Sequence, residues 1–576
     1  MTTSIPSSID QLFPPLCGQK THSLCKISAG NHSYYSLGND YYINTQVHNV
    51  PDSNLVLFNQ DLARELNLDI PASDAKLEQL ILKNFAWFKY ANQNSDGAKN
   101  EVSKTFFSTR YQDSDDKSKG SALGDGRAIW VGEIINKLES GKLQYFDVVL
   151  KGTGTTELAW LNHPRENHKD GQISLTEAVH EYIYSSAAKA NGITAVGVLA
   201  VIELPFYRKV DNEKAAIVIR VGNHLRFAHY CYFADNSTQL QKLFDYGLKR
   251  NMGLSLTHSV NAKDVQNYLD FIVSNLATDA AIYFDVHAIH GSPTFGNITS
   301  CGGTIDFATF VFTDAHHSNY SYMSDGANLL GGEWGQTEQF FNLFSSLIKT
   351  LKRSRFGYES EILPVEFFLE SFNEKFEHVA SYRWLKRIGL SEQEIDSLSV
   401  KTKEFFYEIV KIIYELKGSK KIKFNQRKIY MAAFEPRKIL SATARHIENI
   451  NDSNIFWEQL FKVNRNWGTY KQADAKPFIK IYQKSIINII NELKPSKERI
   501  AIWQQRSKAI SLSERNEPGA DLFYESERFF ASEKVLHQIN LGKSWRIISK
   551  TAEKSASKLV DQGFVPLNHF KRCNST

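Results

Sequence analysis

Long apolar runs, paired cysteines and an excess of one charge are all missing from this 576-residue chain. No stretch strings together the roughly eighteen apolar residues of a membrane-crossing helix, so none is expected. The opening MTTSIPSSIDQLFPP has neither a basic n-region nor an apolar h-region, so no signal peptide is expected. The five cysteines, Cys17, Cys25, Cys231, Cys301 and Cys573, are odd in number, irregularly spaced and never arranged Cys-x-x-Cys. That pattern argues against a disulfide framework or a zinc site and points to a reducing, cytoplasmic setting. Lys and Arg total 68 against 63 Asp and Glu, a net charge of +5, which is close to neutral for this length and gives no case for nucleic acid as a partner. The densest basic run, KGSKKIKFNQRK at 417–428, reads as a solvated loop after a helix. Internal repeats and long low-complexity linkers are also missing.

What is present is ordinary for a globular protein, with 42% hydrophobic and 23% charged residues. The length suits about three or four domain-sized units or one large two-lobed enzyme. Residues 95–120 are polar and mixed in charge and read as a surface excursion. YFDVVLK, 145–151, reads as a strand ending in Lys151. Residues 174–192 read as a helix, with Ser174 and Glu177 as a capping box and Asn191-Gly192 as the stop. Runs at 194–204, 215–221 and 226–233 read as strands. Beyond about 236 the pattern turns helical, with helices expected over 260–278, 335–352, 391–416 and 476–494 and a strand-rich interruption at 303–313. A small β-rich lobe followed by a large helical one places a ligand cleft between them.

Four features converge on a phosphate-and-metal site. GDGRA at 124–128 offers glycines for close backbone approach and a planar guanidinium, Arg127. LKGTG at 150–154 places Lys151 at a strand end before a glycine turn. Glu181 lies mid-helix, and a strand Lys followed by a helix Glu is the order in which protein kinases pair them. Asn297 and Asp306 offer an amide oxygen and a carboxylate, the hard donors that Mg²⁺ takes beside phosphate oxygens.

The blocks LGDGRA, VVLKGTGTT, DGQISLTEAVHEYIYSSAAKANGI, IRVGNHLRF, HGSPTFGNITSCGGTIDF and WGQTEQFFNL, with LGNDYYINTQVHNVPDSNLVLFNQDLARELNLD near the start, span roughly residues 35–350. In this order they resemble the selenoprotein O (SelO) family of pseudokinase-fold protein adenylyltransferases. The resemblance implies an α+β, protein-kinase-like two-lobed fold with an extended helical C-terminal region. The expected parts are an N-terminal extension (1–110) packing on the core, a β-rich N-lobe (111–235), a C-lobe with the metal segment (236–355) and a helical region (356–576). It also implies inverted ATP, so that AMP is transferred to a protein or peptide acceptor with Mg²⁺ or Mn²⁺. Carried over residue by residue, Gly124, Gly126 and Arg127 would touch the nucleotide, Lys151 would hold phosphates and Glu181 would position it. Asp170 and Gly171 fall on the family's Asp-Gly, Arg220 and Arg226 on its phosphate-binding arginines, and Asn297 and Asp306 on its metal ligands.

Three departures stand out. The Arg220–Arg226 interval is one residue shorter than in the family, and Thr155 stands where the family carries an Arg. Gly296 stands where the family has an Asp, its proposed general base, just before the metal-binding Asn. Glycine accepts no proton, and general-base help is worth about 10² to 10⁴ in rate. Three readings follow. The first is an adenylyltransferase with an unorthodox base or acceptor, with Asp285, His287 and His290 as candidate substitutes. The second is activation of a carboxylate acceptor, already ionised because its pKa is near 4; a peptide C-terminus in tailoring of a ribosomal peptide, beside a partner transferase, would be one setting. The third is a non-catalytic nucleotide-binding scaffold.

Overall fold

The computed structural model describes residues 23–513 apart from 91–101, 113–122, 160–169, 313–321 and short gaps within 325–331, 416–435 and 453–471; it adds strand segments at 522–525, 528–532, 545–547 and 564–566. Its organising element is a ten-stranded antiparallel sheet. The principal strands are β1 (Tyr42–Asn49), β2 (Asn54–Asn59), β3 (Ser103–Thr109), β4 (Ala128–Lys137), β5 (Leu143–Lys151), β6 (Gly197–Tyr207) and β7 (Lys214–Gly222). They lie in the order β2-β6-β7-β5-β4-β3-β1, with Trp545–Ile547 outside β2 and Trp87–Phe88 outside β1.

Two expectations change here. β1, β2 and β3 come from the segment expected as an extension, so this part of the chain is woven into the sheet and residue 110 marks no break. The polar excursion expected over 95–120 contains β3, whose Phe106 and Phe107 are buried on opposite faces of the sheet.

Side chains alternate between the faces of a strand, and the core divides accordingly. Ile129, Val148, Leu150, Ile217 and Ile219 fill one face with residues of the N-terminal helices. Trp130, Val149, Ala216 and Val218 face the other way, onto helix α1 (Leu175–Ala190) and the large helical core. Lys151 shares the parity of Val149, and Arg220 that of Val218. The register pairs Lys151 with Val218 and Val149 with Arg220. The two cations are therefore diagonal neighbours on the helix-facing side.

After β7 the chain is helical: α2 (Phe227–Tyr232), α3 (Ser237–Asn251), α4 (Ala262–Asp285), α5 (Gly332–Arg353), α6 (Val365–Arg387), α7 (Glu392–Ser397), α8 (Val400–Glu415), α9 (Pro436–His446), α10 (Gln472–Leu493) and α11 (Lys497–Ser513). The run 226–233, expected as a strand, is the helix α2, started by reciprocal bonds between Arg226 and His229. Five of its six residues are buried, so polarity carries no helical period there, and a run of alternating aromatics mimics a strand. The single helix expected over 391–416 is broken at Leu398-Ser399, where Ser399 Oγ accepts from Thr402 N to start α8. The basic run at 417–428 forms most of a hairpin, Lys417–Phe424 with Arg427–Ala432, in place of the expected loop. The interruption at 303–313 is a short 3₁₀ turn, Phe307–Thr309, followed by the two-residue strand Val311–Phe312. Cys17 and Cys573 lie outside the described residues, as does the adjacent histidine pair His316-His317, whose sequence reads as a loop feature.

Candidate active site

Lys151 is the hub of the site. Its ammonium donates to Glu181 Oε2 at 2.9 Å and to Asp306 Oδ1 at 2.8 Å, and lies 3.1 Å from Glu177 Oε1. Arg220 pairs with Glu181 through Nε and reaches Asp306 Oδ1 with Nη2 at 3.3 Å. Arg127 joins from the β4 side, 3.4 Å from Glu177 Oε1. Three cations thus meet three carboxylates. Lys151, Glu181 and Arg220 are 2% exposed and form a closed floor, whereas Glu177, Asp306 and Arg127 are 22–25% exposed and form the open rim. Burial by itself pushes the Asp306 carboxyl up, but Lys151, Arg220 and Arg127 outweigh it and hold the group well below its ordinary value. Glu177 is likewise depressed: burial acts upward, and Arg127 and Lys151 overcome it.

Helix α1 supplies both glutamates from one face, because residues four apart are neighbours on a helix. Ser174 caps it by accepting from Glu177 N at 3.1 Å. The other half of the expected capping box is not made: the Glu177 carboxylate turns to Lys151 and Arg127. Glu177 is therefore a site residue that the sequence reading placed in a purely structural role. Its i−4 spacing from Glu181 was the signal that pointed to the site.

Asp306 sits at φ 71°, ψ 74°, a left-handed conformation that a non-glycine residue adopts at a cost. Its flanking carbonyls are clamped by two histidines: His290 Nε2 lies 3.0 Å from Ile305 O and His180 Nδ1 lies 3.1 Å from Phe307 O. Burial drives both imidazoles down to about 4, so they are neutral near pH 7. Asn297 is tied to the same turn, its carbonyl accepting from Ile305 N at 3.1 Å. Its amide nitrogen donates to Ser292 O at 2.8 Å, leaving the amide oxygen as the atom available to a cation. An amide oxygen, and a carboxylate whose Oδ1 is held while Oδ2 makes no bond among the described residues, fit a hard divalent cation such as Mg²⁺.

The remaining expected residues are placed less directly. Arg226 is not in the Lys151 cluster. It donates to Gly296 O at 3.0 Å and Tyr111 OH at 3.2 Å, and lies 3.7 Å from Asp125. Asp125, between Gly124 and Gly126, also accepts from Thr109 and from Trp130 Nε1. A Cβ on Gly124 would stand 2.1 Å from Thr109 O, and one on Gly126 2.6 Å from Ala159 Cα, so both glycines are required by backbone contact. Asp170 accepts from Gln172 N and lies 3.7 Å from Arg208. Gly171, at φ 68°, presses on the turn after Lys151, where an added Cβ would stand 2.2 Å from Gly154 C. Gly171→Ala should therefore cost at least about 1–3 kcal/mol, read as a lower melting temperature; an unchanged melt would mean that this contact is not needed.

None of the candidate substitute bases is accessible: Asp285 is 1% exposed, and His287 and His290 are 0% exposed. Asp285 is moreover bound to Arg383 and Arg387. A separate cluster, His32, Glu133 and Asp147, has metal-ligand composition. Arg250 pairs with both of its carboxylates, so the cluster is already neutralised and reads as a structural node.

The sequence pattern of the family described as "Protein adenylyltransferase SelO" matches residues 29–514. Among similar proteins, "Protein nucleotidyltransferase YdiU" of Rhizobium johnstonii is 29% identical over 298 residues, covering 48% of this chain and 54% of that protein. The protein of the same name from Lachnoclostridium phytofermentans is 25% identical over 385 residues (66% of this chain, 68% of that one), and that from Shewanella pealeana 31% over 205 residues (34% and 39%). In the first of these the match spans about half the length of the relative. With the family pattern running through the sheet, the Lys151 cluster and most of the helical region, the chain belongs to the SelO family.

Proposed function

We propose that this chain is an ATP- and Mg²⁺-dependent adenylyltransferase, with Mn²⁺ as the alternative ion, that transfers AMP to a protein or peptide acceptor. A reducing, cytoplasmic setting is part of the proposal. The observation that carries it is the Lys151 ammonium shared between Glu181 and Asp306, with Arg220 and Arg127 beside it. Lys151, Arg127 and Arg220 supply donors for phosphate oxygens, Glu181 fixes the floor, and Asp306 with Asn297 would hold the divalent ion. The bound ion would supply charge neutralisation on the phosphates. The acceptor oxygen attacks the α-phosphorus, the bond to the bridging oxygen breaks, and pyrophosphate leaves with its electron pair; a hydroxyl acceptor gives up its proton to solvent.

A second reading, activation of a carboxylate acceptor, is favoured by one observation. Gly296 carries no base, and the guanidinium of Arg226 lies directly against its carbonyl. A hydroxyl acceptor must lose a proton there; a carboxylate has none to lose and is drawn to a cation. A peptide carboxylate would then become an acyl-adenylate for a partner transferase, as in tailoring of a ribosomal peptide.

Product analysis separates the readings. Purified protein with ATP, Mg²⁺ and candidate peptides should yield AMP-linked product and pyrophosphate, whereas ADP alone would contradict inverted ATP. Gly296→Asp should raise transfer to hydroxyl acceptors at least tenfold and leave carboxylate acceptors unaided. ATP binding without any product would leave only the scaffold.

A further inference from the structure

The Lys151 cluster is balanced before any ligand arrives, and Glu177 is the group that makes it so. Without it, Lys151, Arg127 and Arg220 would face only Glu181 and Asp306. Those two are otherwise engaged: Glu181 grips both Lys151 and Arg220 on the closed floor, and Asp306 is a metal-ligand candidate. Glu177 is held more loosely. Its Oε1 is shared by Lys151 at 3.1 Å and Arg127 at 3.4 Å, longer than the 2.7–2.9 Å usual for charge-assisted bonds, and its side chain is 24% exposed. Its Oε2 has no partner among the described residues. The helix end does not need the carboxylate either, because Ser174 Oγ already satisfies Glu177 N.

We infer that Glu177 is a resident counter-anion of the nucleotide site, occupying Lys151 and Arg127 where phosphate oxygens bind and swinging aside when a polyphosphate enters. The inference rests on the nucleotide reading above. Its consequence is selectivity for the charge state of the ligand. A bare triphosphate must displace one anion and sit near two more. A metal-complexed triphosphate brings its own positive charge and competes less with Glu177. The carboxylate thus disfavours metal-free nucleotide and inorganic polyphosphate, and it keeps three closely spaced cations from standing unneutralised in the free protein.

The test is calorimetric titration of the full chain with ATP and, separately, inorganic tripolyphosphate, each with and without Mg²⁺. Wild type, Glu177→Gln, Lys151→Ala and the double variant are compared. Glu177→Gln should bind metal-free ligand about tenfold more tightly, with a smaller gain when Mg²⁺ is present, and the gain should shrink in the Lys151→Ala background, where only Arg127 is left for Glu177 to occupy. Glu177→Ala should give the same sign, and melting curves confirm that each variant folds. Unchanged or weaker metal-free binding in Glu177→Gln overturns the inference; weakening confined to Mg²⁺ conditions would instead make Glu177 a metal ligand. Tighter tripolyphosphate binding with no ATP binding by any variant would retain the anion exchange and end the nucleotide reading.

Discussion

Asp306→Ala should lower AMP transfer by about a thousandfold or more while leaving the protein folded. The size follows from what one carboxylate does in this site. It is a metal-ligand candidate on a backbone held in the left-handed region, and its turn is clamped by His290, His180 and Asn297. That much local constraint for one side chain is the signature of a preorganised electrostatic group, and removing one such group costs about 10² to 10³ in kcat even without a metal. If Asp306 holds the divalent ion as proposed, loss of that ion's charge would add to this. The fold should tolerate the change because Asp306 is on the rim: without it, Lys151 retains Glu181 and Glu177, and Arg220 retains Glu181. Asp306→Asn keeps the shape and loses the charge, so it should resemble the alanine variant in rate and the wild type in melting temperature. Measured pyrophosphate release and Mn²⁺ affinity check both halves. An Asp306→Ala protein that turns over near the wild-type rate would remove the metal clamp from the proposal.

How much of this was legible in the sequence depends on whether the determinant was local. Lys151 at a strand end and Ser174 at a helix start are set by neighbours a few positions away, and both elements form about where expected. The Lys151–Glu181 pair was legible through chain order and forms at 2.9 Å. Arg220 joins the hub because strand parity and register carry it there. The misses are long-range. β3 hides in a polar segment because two of its four buried residues, Ser108 and Thr109, are themselves polar, and its partner β1 lies some sixty residues upstream. Helix α2 is buried nearly all round, which erases the amphipathic period that would have identified it. Glu177 satisfied a local motif, and that explanation concealed its tertiary role. Arg226 is separated from the Lys151 hub by its bond to Gly296 O, a contact between segments seventy residues apart that no spacing rule encodes.

The largest loss of stability should come from a residue that chemistry alone would nominate as a base. Asp285→Ala should destabilise the protein by about 3–5 kcal/mol, because it strands buried guanidinium charge. Asp285 ends α4, where the helix dipole disfavours an acid. Two arginines of α6 reverse that preference. Arg387 binds it in a two-pronged fashion, Nε to Oδ1 at 2.7 Å and Nη2 to Oδ2 at 3.0 Å, and also caps the Asp285 carbonyl at 3.1 Å. Arg383 Nε adds a bond at 2.6 Å and reaches on to Asn191 O at 3.4 Å, the cap of the helix that carries Glu177 and Glu181. Burial would raise the carboxyl, but Arg387 and Arg383 bring it down to about 2. A folded value below the unfolded one, near 3.9, means stability that is present above about pH 4 and is lost as the pH falls toward 2. Urea melts at neutral pH should show the full loss in Asp285→Ala, and the difference from wild type should shrink on acidification through that window. Arg387→Leu in the Asp285→Ala background should recover part of the loss, since a buried pair replaced by apolar groups is tolerated better than half a pair. A single-variant loss below about 1 kcal/mol would show that α6 is held by its apolar contacts alone. The expected loss makes the C-terminal helices part of what sets the position of α1, and so of the two glutamates that face Lys151.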